Sequence, residues 1–288
     1  MNRYQVSLHT DKYAIVELAD TETNSIVRIC PERGGIAINC TLHGKELFYL
    51  DKDTFYDPEA NIRGGNPVLF PISGQLQGGQ YEWEGVTYTM KNHGVARTNP
   101  WKVVSTKEDG EASVTLILQS SEETLKAYPF AFELLFTYRL QDGTLHIGQE
   151  YRNGSDQKMP MYPGFHPYFA ADQKSIDYET DATRYLDLND NQEKPIEGPI
   201  SLENKVESFV LLGAVKPSIT FEPVEGTRVR LDYSKAFKYV VLWSVEGNPF
   251  VCVEPWMAQT GELNRKNELV FVPPGETLEA DLTISLVV

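Results

Sequence analysis

Between residues 130 and 140, Phe130, Phe132, Leu134, Phe136, Tyr138 and Leu140 fall on every second position. Apolar side chains repeating with period two define a strand with one buried face. Asp142-Gly143 then supplies a turn, and Leu145, Ile147, Gln149 and Tyr151 resume the pattern, so the two segments are predicted to form a hairpin. Near the C-terminus, Leu278, Ala280, Leu282, Ile284 and Leu286 repeat the same alternation. Residues 13–18, 25–28, 36–42, 46–50, 113–119, 238–244 and 250–256 also read as extended, and 78–90 reads as a hairpin turning at Glu84-Gly85. Ser120 followed by Glu123 resembles a helix-capping box, but Pro129 limits any helix there to about two turns. Residues 51–65 read as a polar loop, and 171–218 carry no readable pattern. There is no long amphipathic helix, heptad array, short repeat or low-complexity linker. Many strands joined by short turns predict one all-β domain over residues 1–288, a large antiparallel β-sandwich rather than a βαβ fold.

Composition narrows the partners. A net charge of -15 argues against general nucleic-acid binding and against attachment to anionic membranes. Any anionic substrate would need a local cationic pocket. No apolar run is long enough to span a bilayer, and the N-terminal segment lacks a signal-like apolar core. Cys30, Cys40 and Cys252 form no close pair, which suits a reducing, cytoplasmic setting. A monomer and a homodimer are both compatible with these features.

Three stretches carry candidate chemistry. In Met161-Tyr162-Pro163-Gly164-Phe165-His166-Pro167-Tyr168-Phe169, a histidine sits between prolines, a glycine and aromatics. Each proline removes a backbone donor and fixes φ, so the segment should be stiff and irregular. An imidazole held there could transfer protons near neutral pH, or it could be a core histidine bonded to a backbone carbonyl. In Phe250-Val251-Cys252-Val253-Glu254-Pro255-Trp256, Glu254 shares a face with Phe250 and Cys252. An unpaired buried charge is costly. Glu254 should therefore turn outward at the strand end, pair with an arginine, or line a pocket where burial strengthens it as a base. The third stretch, residues 91–101, holds His93 and Arg97 in a loop, and Arg63 precedes Gly64-Gly65 upstream. Arginine offers a forked donor suited to phosphate, carboxylate or paired hydroxyls, although a surface ion pair is its commoner fate. There is no phosphate-binding loop, dinucleotide fingerprint, zinc-helix motif or nucleophile elbow. The histidines lack short-range ligand spacing, so a required metal is not expected. His9, His43 and His146 have no supporting context.

Taken together, Arg63-Gly-Gly-Asn-Pro-Val-Leu-Phe-Pro-Ile-Ser-Gly74, His93-Gly-Val-Ala-Arg97, Gly164-Phe-His-Pro-Tyr-Phe169 and Val253-Glu-Pro-Trp256 resemble the aldose 1-epimerase, or galactose mutarotase-like, superfamily. The resemblance covers nearly the whole chain and is nearest to the branch of hexose-6-phosphate mutarotases and LacX-like proteins. It implies a β-supersandwich fold. It further implies that His166 is the general acid, that Glu254 is the general base, and that His93 and Arg97 contact substrate. Arg63 matches an arginine that reaches the phosphate in the sugar-phosphate branch. Asn66, Ile72-Ser73 and Val95 depart from the pattern, which bears on substrate identity rather than on the acid–base pair. The implied reaction interconverts the α and β anomers of an aldohexose or hexose 6-phosphate by ring opening and reclosure, and it requires no cofactor. The acid and the base are expected on opposite sides of the sugar, about one pyranose apart. The alternative is a carbohydrate-binding protein on the same scaffold that catalyses nothing.

Overall fold

A computed structural model describes residues 2–287. The period-two segments all become strands. Phe132–Gln141 and Thr144–Asn153 pair antiparallel from Phe132↔Asn153 to Gln141↔Thr144, around the Asp142-Gly143 turn. Thr277–Leu286 lies against Thr144–Asn153, with Leu145 opposite Ile284. These strands form the middle of an eight-stranded antiparallel sheet that ends at Lys102–Lys107 on one side and Tyr178–Glu179 on the other. The inward set Leu134, Phe136, Tyr138, Leu140, Leu145 and Ile147 is fully buried.

A second eight-stranded sheet faces it. Its centre is Phe250–Trp256, paired with Tyr239–Trp243 on one side and with Gly164–Phe165 and Tyr168–Ala170 on the other. Val251 and Val253 point into the main core, which draws on both large sheets, and Phe165 packs against Phe136 there at 6.1 Å. The alternate residues do not reach solvent. Phe250 and Cys252 join a small cluster with Tyr168, and Trp256 joins another with Leu69, Val210 and Val241. Phe250–Trp256 is thus buried on both faces, which explains its nearly unbroken apolar sequence. A third, five-stranded sheet runs in chain order from Tyr4–Thr10 to Lys45–Glu46.

Two local readings shift, and one strand goes beyond those read from sequence. The helix Glu122–Ala127 is capped one residue later than expected: Ser121 and Thr124 form the reciprocal box, not Ser120 and Glu123. The polar loop at 51–65 contains a short helix, Lys52–Tyr56, capped by Asp51. Tyr4–Thr10 is a strand, although its edge position leaves half of it exposed and without alternation.

The loops that reach the second sheet are docked by backbone contacts. Val95 and Ala96 both donate N–H bonds to the Phe70 carbonyl, at 2.7 and 3.2 Å. Gly94 makes this approach possible: it has φ +76°, and a Cβ there would lie 2.2 Å from the Phe70 oxygen. Gly85, at the tip of the confirmed Gln80–Trp83 and Val86–Thr89 hairpin, has a similar φ of +80° but open space around it. Gly85→Ala should cost about 1 kcal/mol for the backbone conformation alone. Gly94→Ala should cost about 3 kcal/mol or more, because a backbone carbonyl must also move. Urea unfolding of the two variants checks this, and equal losses would refute the docking role of Gly94.

Candidate functional site

Sheet register brings the two chemical stretches together. Gly164 pairs with Trp256, and Tyr168 pairs with Cys252, so His166 lies across from Glu254 on the neighbouring strand. Cross-strand neighbours on one face are close enough for direct contact. Pro167 has no N–H to continue the ladder, and the pairing breaks there into two short pieces. His166 sends its own N–H to the Pro67 carbonyl at 3.2 Å. Gly164 is required for the approach, since a Cβ would lie 2.5 Å from Ser73 Oγ and 2.8 Å from the Pro255 oxygen.

The result is a direct contact of 3.4 Å between His166 Nε2 and Glu254 Oε1. The expected pyranose-wide separation is therefore corrected: the groups stand side by side on the floor of one cleft. Glu254 neither turns outward nor pairs with an arginine. It is 1 % exposed, and the Trp256 indole N–H donates to its Oε2 at 3.1 Å. The His166 ring stacks on Tyr168 at 4.7 Å and meets the edges of His93 and Trp243 at 5.3 and 5.7 Å. His166 Nδ1 is buried without a protein partner.

Burial sets the electrostatics. It pushes Glu254 well above the usual carboxylate range, with the Trp256 bond opposing. It pushes His166 down to about 3, helped by the nearby Arg97 charge. Both directions disfavour a net charge, so the pair holds one proton in total, whichever partner carries it. His93 is pushed well below the usual imidazole range by burial, then by His166 and Arg97. Its Nδ1 accepts the Gly74 N–H at 2.9 Å, which leaves the ring proton on Nε2. His93 returns its own backbone N–H to the Gly74 carbonyl at 2.8 Å, so loop and ring fix each other.

The cleft above this floor has a volume of about 400 Å³, and its walls include all five residues singled out by sequence: Arg63, His93, Arg97, His166 and Glu254. Small-molecule sites begin at about 300 Å³. Among the described residues, neither arginine forms an ion pair with a carboxylate. The Arg97 guanidinium instead bonds Asn61 Oδ1 at 2.9 Å, and its Nε is buried without a partner. Arg63 is exposed on the loop that follows Lys52–Tyr56. Arg33 holds that loop from below through the Pro58 and Asp57 carbonyls, at 3.0 and 2.7 Å.

The cleft also contains residues that the sequence did not reveal. Trp243 flanks His166, and Glu207 is the one carboxylate besides Glu254 in the lining. Glu207 lies in the unreadable 171–218 stretch, beside Phe209–Leu212, and only the pairing of that strand with Tyr239–Trp243 brings it to the site. Its sequence neighbourhood carries no signal that could have found it. His9, His43 and His146 lie outside the cleft lining: His9 is exposed beside Glu17, His43 sits in a tight turn, and His146 bonds Thr283.

The fold recurs among known proteins. The chain is 33% identical to the Slr1438 protein from Synechocystis sp. PCC 6803, with a TM-score of 0.91 over 98% of this chain and 99% of that one. A galactose mutarotase-like protein from Lactobacillus casei ATCC 334 shares the fold at 21% identity, with a TM-score of 0.76 over 98% and 100% of the two chains. Protein LacX of Lactococcus lactis subsp. lactis is 28% identical over 81% of this chain and 88% of its own length. A protein of Cenchrus ciliaris provisionally named a glucose-6-phosphate 1-epimerase is 27% identical over 85% of this chain and 76% of its own. The family profile described as aldose 1-epimerase matches residues 20–285, and the chain belongs to that family.

Proposed function

We propose that the protein is an aldose 1-epimerase that interconverts the anomers of an aldohexose carrying a 6-phosphate, with residues 1–288 acting as one unit. The observation that carries this reading is the 3.4 Å contact between His166 and Glu254 on the cleft floor. Ring opening needs one proton acceptor and one proton donor. Glu254 takes the proton from the anomeric hydroxyl while His166 gives one to the ring oxygen. The C1–O5 bond breaks with its electron pair going to O5, and C1 becomes an aldehyde. The aldehyde turns about C1–C2, and the reverse transfers close the ring on its other face. The reacting oxygens share one carbon, so two groups at hydrogen-bond spacing can serve both. The proton that crosses the pair during opening returns on closure, and the single-proton state is restored.

The neutral His93 Nε2–H and the Glu207 carboxylate offer a donor and an acceptor for ring hydroxyls. The phosphate rests on Arg63 and Arg97. Both are cations without a carboxylate partner, in a chain of net charge -15, where most cations would be expected to find one. The provisional name of the Cenchrus ciliaris relative points the same way.

Polarimetry or exchange NMR on purified protein tests the chemistry. Glu254→Gln and His166→Ala should each lower the rate by about 10²–10⁴-fold, and wild-type rates in both would refute the mechanism. Arg63→Ala should raise KM for a hexose 6-phosphate by about 10–100-fold while leaving the free hexose nearly unchanged, as expected for a lost charged hydrogen bond. Equal effects on the two sugars would remove the phosphate from the proposal.

The pH profile follows from the direction of the shifts. A second proton must bind His166 for the acid limb, and that group is pushed down to about 3. The basic limb requires loss of the proton shared with Glu254, a group pushed upward. The plateau of kcat/KM should therefore extend below the ordinary histidine range near 6.5. A limb centred at that ordinary value would contradict a one-proton pair.

A further inference from the structure

One buried group beneath the cleft floor, packed with Tyr168 and Phe250, has no part in ring opening. Cys252 precedes Glu254 by two positions on the same strand face, and its thiol is free and fully buried. One donor atom each from His166, Cys252 and Glu254 lie within 4.8 Å of one another. We propose that these three side chains form an inhibitory binding site for zinc at the base of the sugar cleft.

The donor set selects the ion. One nitrogen, one sulfur and one carboxylate oxygen suit zinc, whereas magnesium and calcium require a shell made mainly of oxygens. Zinc–ligand bonds of about 2.0–2.3 Å put tetrahedral donors roughly 3.5 Å apart. His166 Nε2 and Glu254 Oε1 already stand at 3.4 Å. The thiol, within 4.8 Å of both, must move closer to complete the triangle. Trp256 holds the other carboxylate oxygen, leaving Oε1 directed at the imidazole. Three protein ligands leave a fourth position, and two of the three, His166 and Glu254, line the cleft.

Charge balance favours the exchange. The thiol gives up its proton as the S–Zn bond forms, and the pair gives up the one it shares. Two protons leave for solvent and one divalent cation enters. Thiolate, carboxylate, neutral imidazole and zinc again sum to zero, so no net charge is buried. Bound zinc occupies the lone pairs that ring opening needs, and the sugar is excluded. This last consequence rests on the proposed epimerase reading, but zinc binding does not.

Cadmium is the probe, because a cadmium–thiolate bond absorbs in the near ultraviolet. Titration of the whole protein should give a charge-transfer band that saturates at about one equivalent and is displaced by zinc. Cys252→Ser should lose the band and bind zinc at least about tenfold more weakly, and His166→Gln should keep a thiolate band but weaken zinc by a similar factor. Zinc should also slow anomer interconversion in the wild type at concentrations that leave Cys252→Ser unaffected. No band, a band retained in Cys252→Ser, or equal zinc affinity in wild type and both variants would overturn the site. The titration uses no sugar, so failure of the epimerase reading would leave it standing, and an active enzyme without the band would refute the zinc site alone.

Discussion

A carboxylate kept out of water must find a partner, and in this fold the partner is supplied by sheet register. Phe250–Trp256 is enclosed on both faces, so Glu254 cannot reach bulk solvent without leaving the strand. An isolated buried carboxylate would be expensive. His166 offsets the cost because Gly164↔Trp256 and Tyr168↔Cys252 leave it no other place to stand. The same burial that penalises charge on each group ties them into a unit with one proton. Burial and register thus act together: the pair stays neutral overall, with one proton between its two members.

The walls are organised differently from the floor. Val210, Val241 and Trp243 come from strands, and the loop walls add polar contacts to backbone to their apolar packing. Gly74 and His93 exchange two hydrogen bonds, and Thr260 and the Gln75 backbone exchange two more. Arg33 gathers the carbonyls after the Lys52–Tyr56 helix, where the helix dipole also favours a cation. Such contacts fix a loop without filling the space in front of it.

The sequence disclosed the elements whose burial is one-sided and regular. Strands such as Phe132–Gln141 alternate because one face meets the core and the other meets water, and alternation is visible in a string of letters. Glu254 was visible for the opposite reason, as a charge out of place in an apolar run. The three other motifs were legible because glycine and proline mark where backbone must bend or approach closely. What stayed hidden depended on distant pairing. Residues 171–218 form short strands that pair partly with one another and partly with Tyr239–Trp243 and Ser218–Val224, too brief to develop a period of their own. Glu207 and Trp243 gain their meaning only from that pairing. The separation of acid and base was misjudged because chain spacing says nothing about register across a sheet.

The acidic surface and the cationic cleft act on different length scales. At physiological ionic strength, exposed charges are screened over about 8 Å, so most of the net charge of -15 is not felt as a uniform field inside the cleft. Arg97 is half-buried among Tyr168, His93 and Asn61, where screening is weak and, among the described residues, its charge is not cancelled by an ion pair. Its field already reaches the floor, where it helps to hold both His93 and His166 neutral. Arg97 therefore acts on the acid–base pair as well as on any anion above it. An anionic group bound beside Arg97 would oppose that field and make a proton on His166 easier to hold. On the proposed reading, substrate charge and the proton on the imidazole would thus be coupled through one guanidinium, with burial still the larger influence on His166.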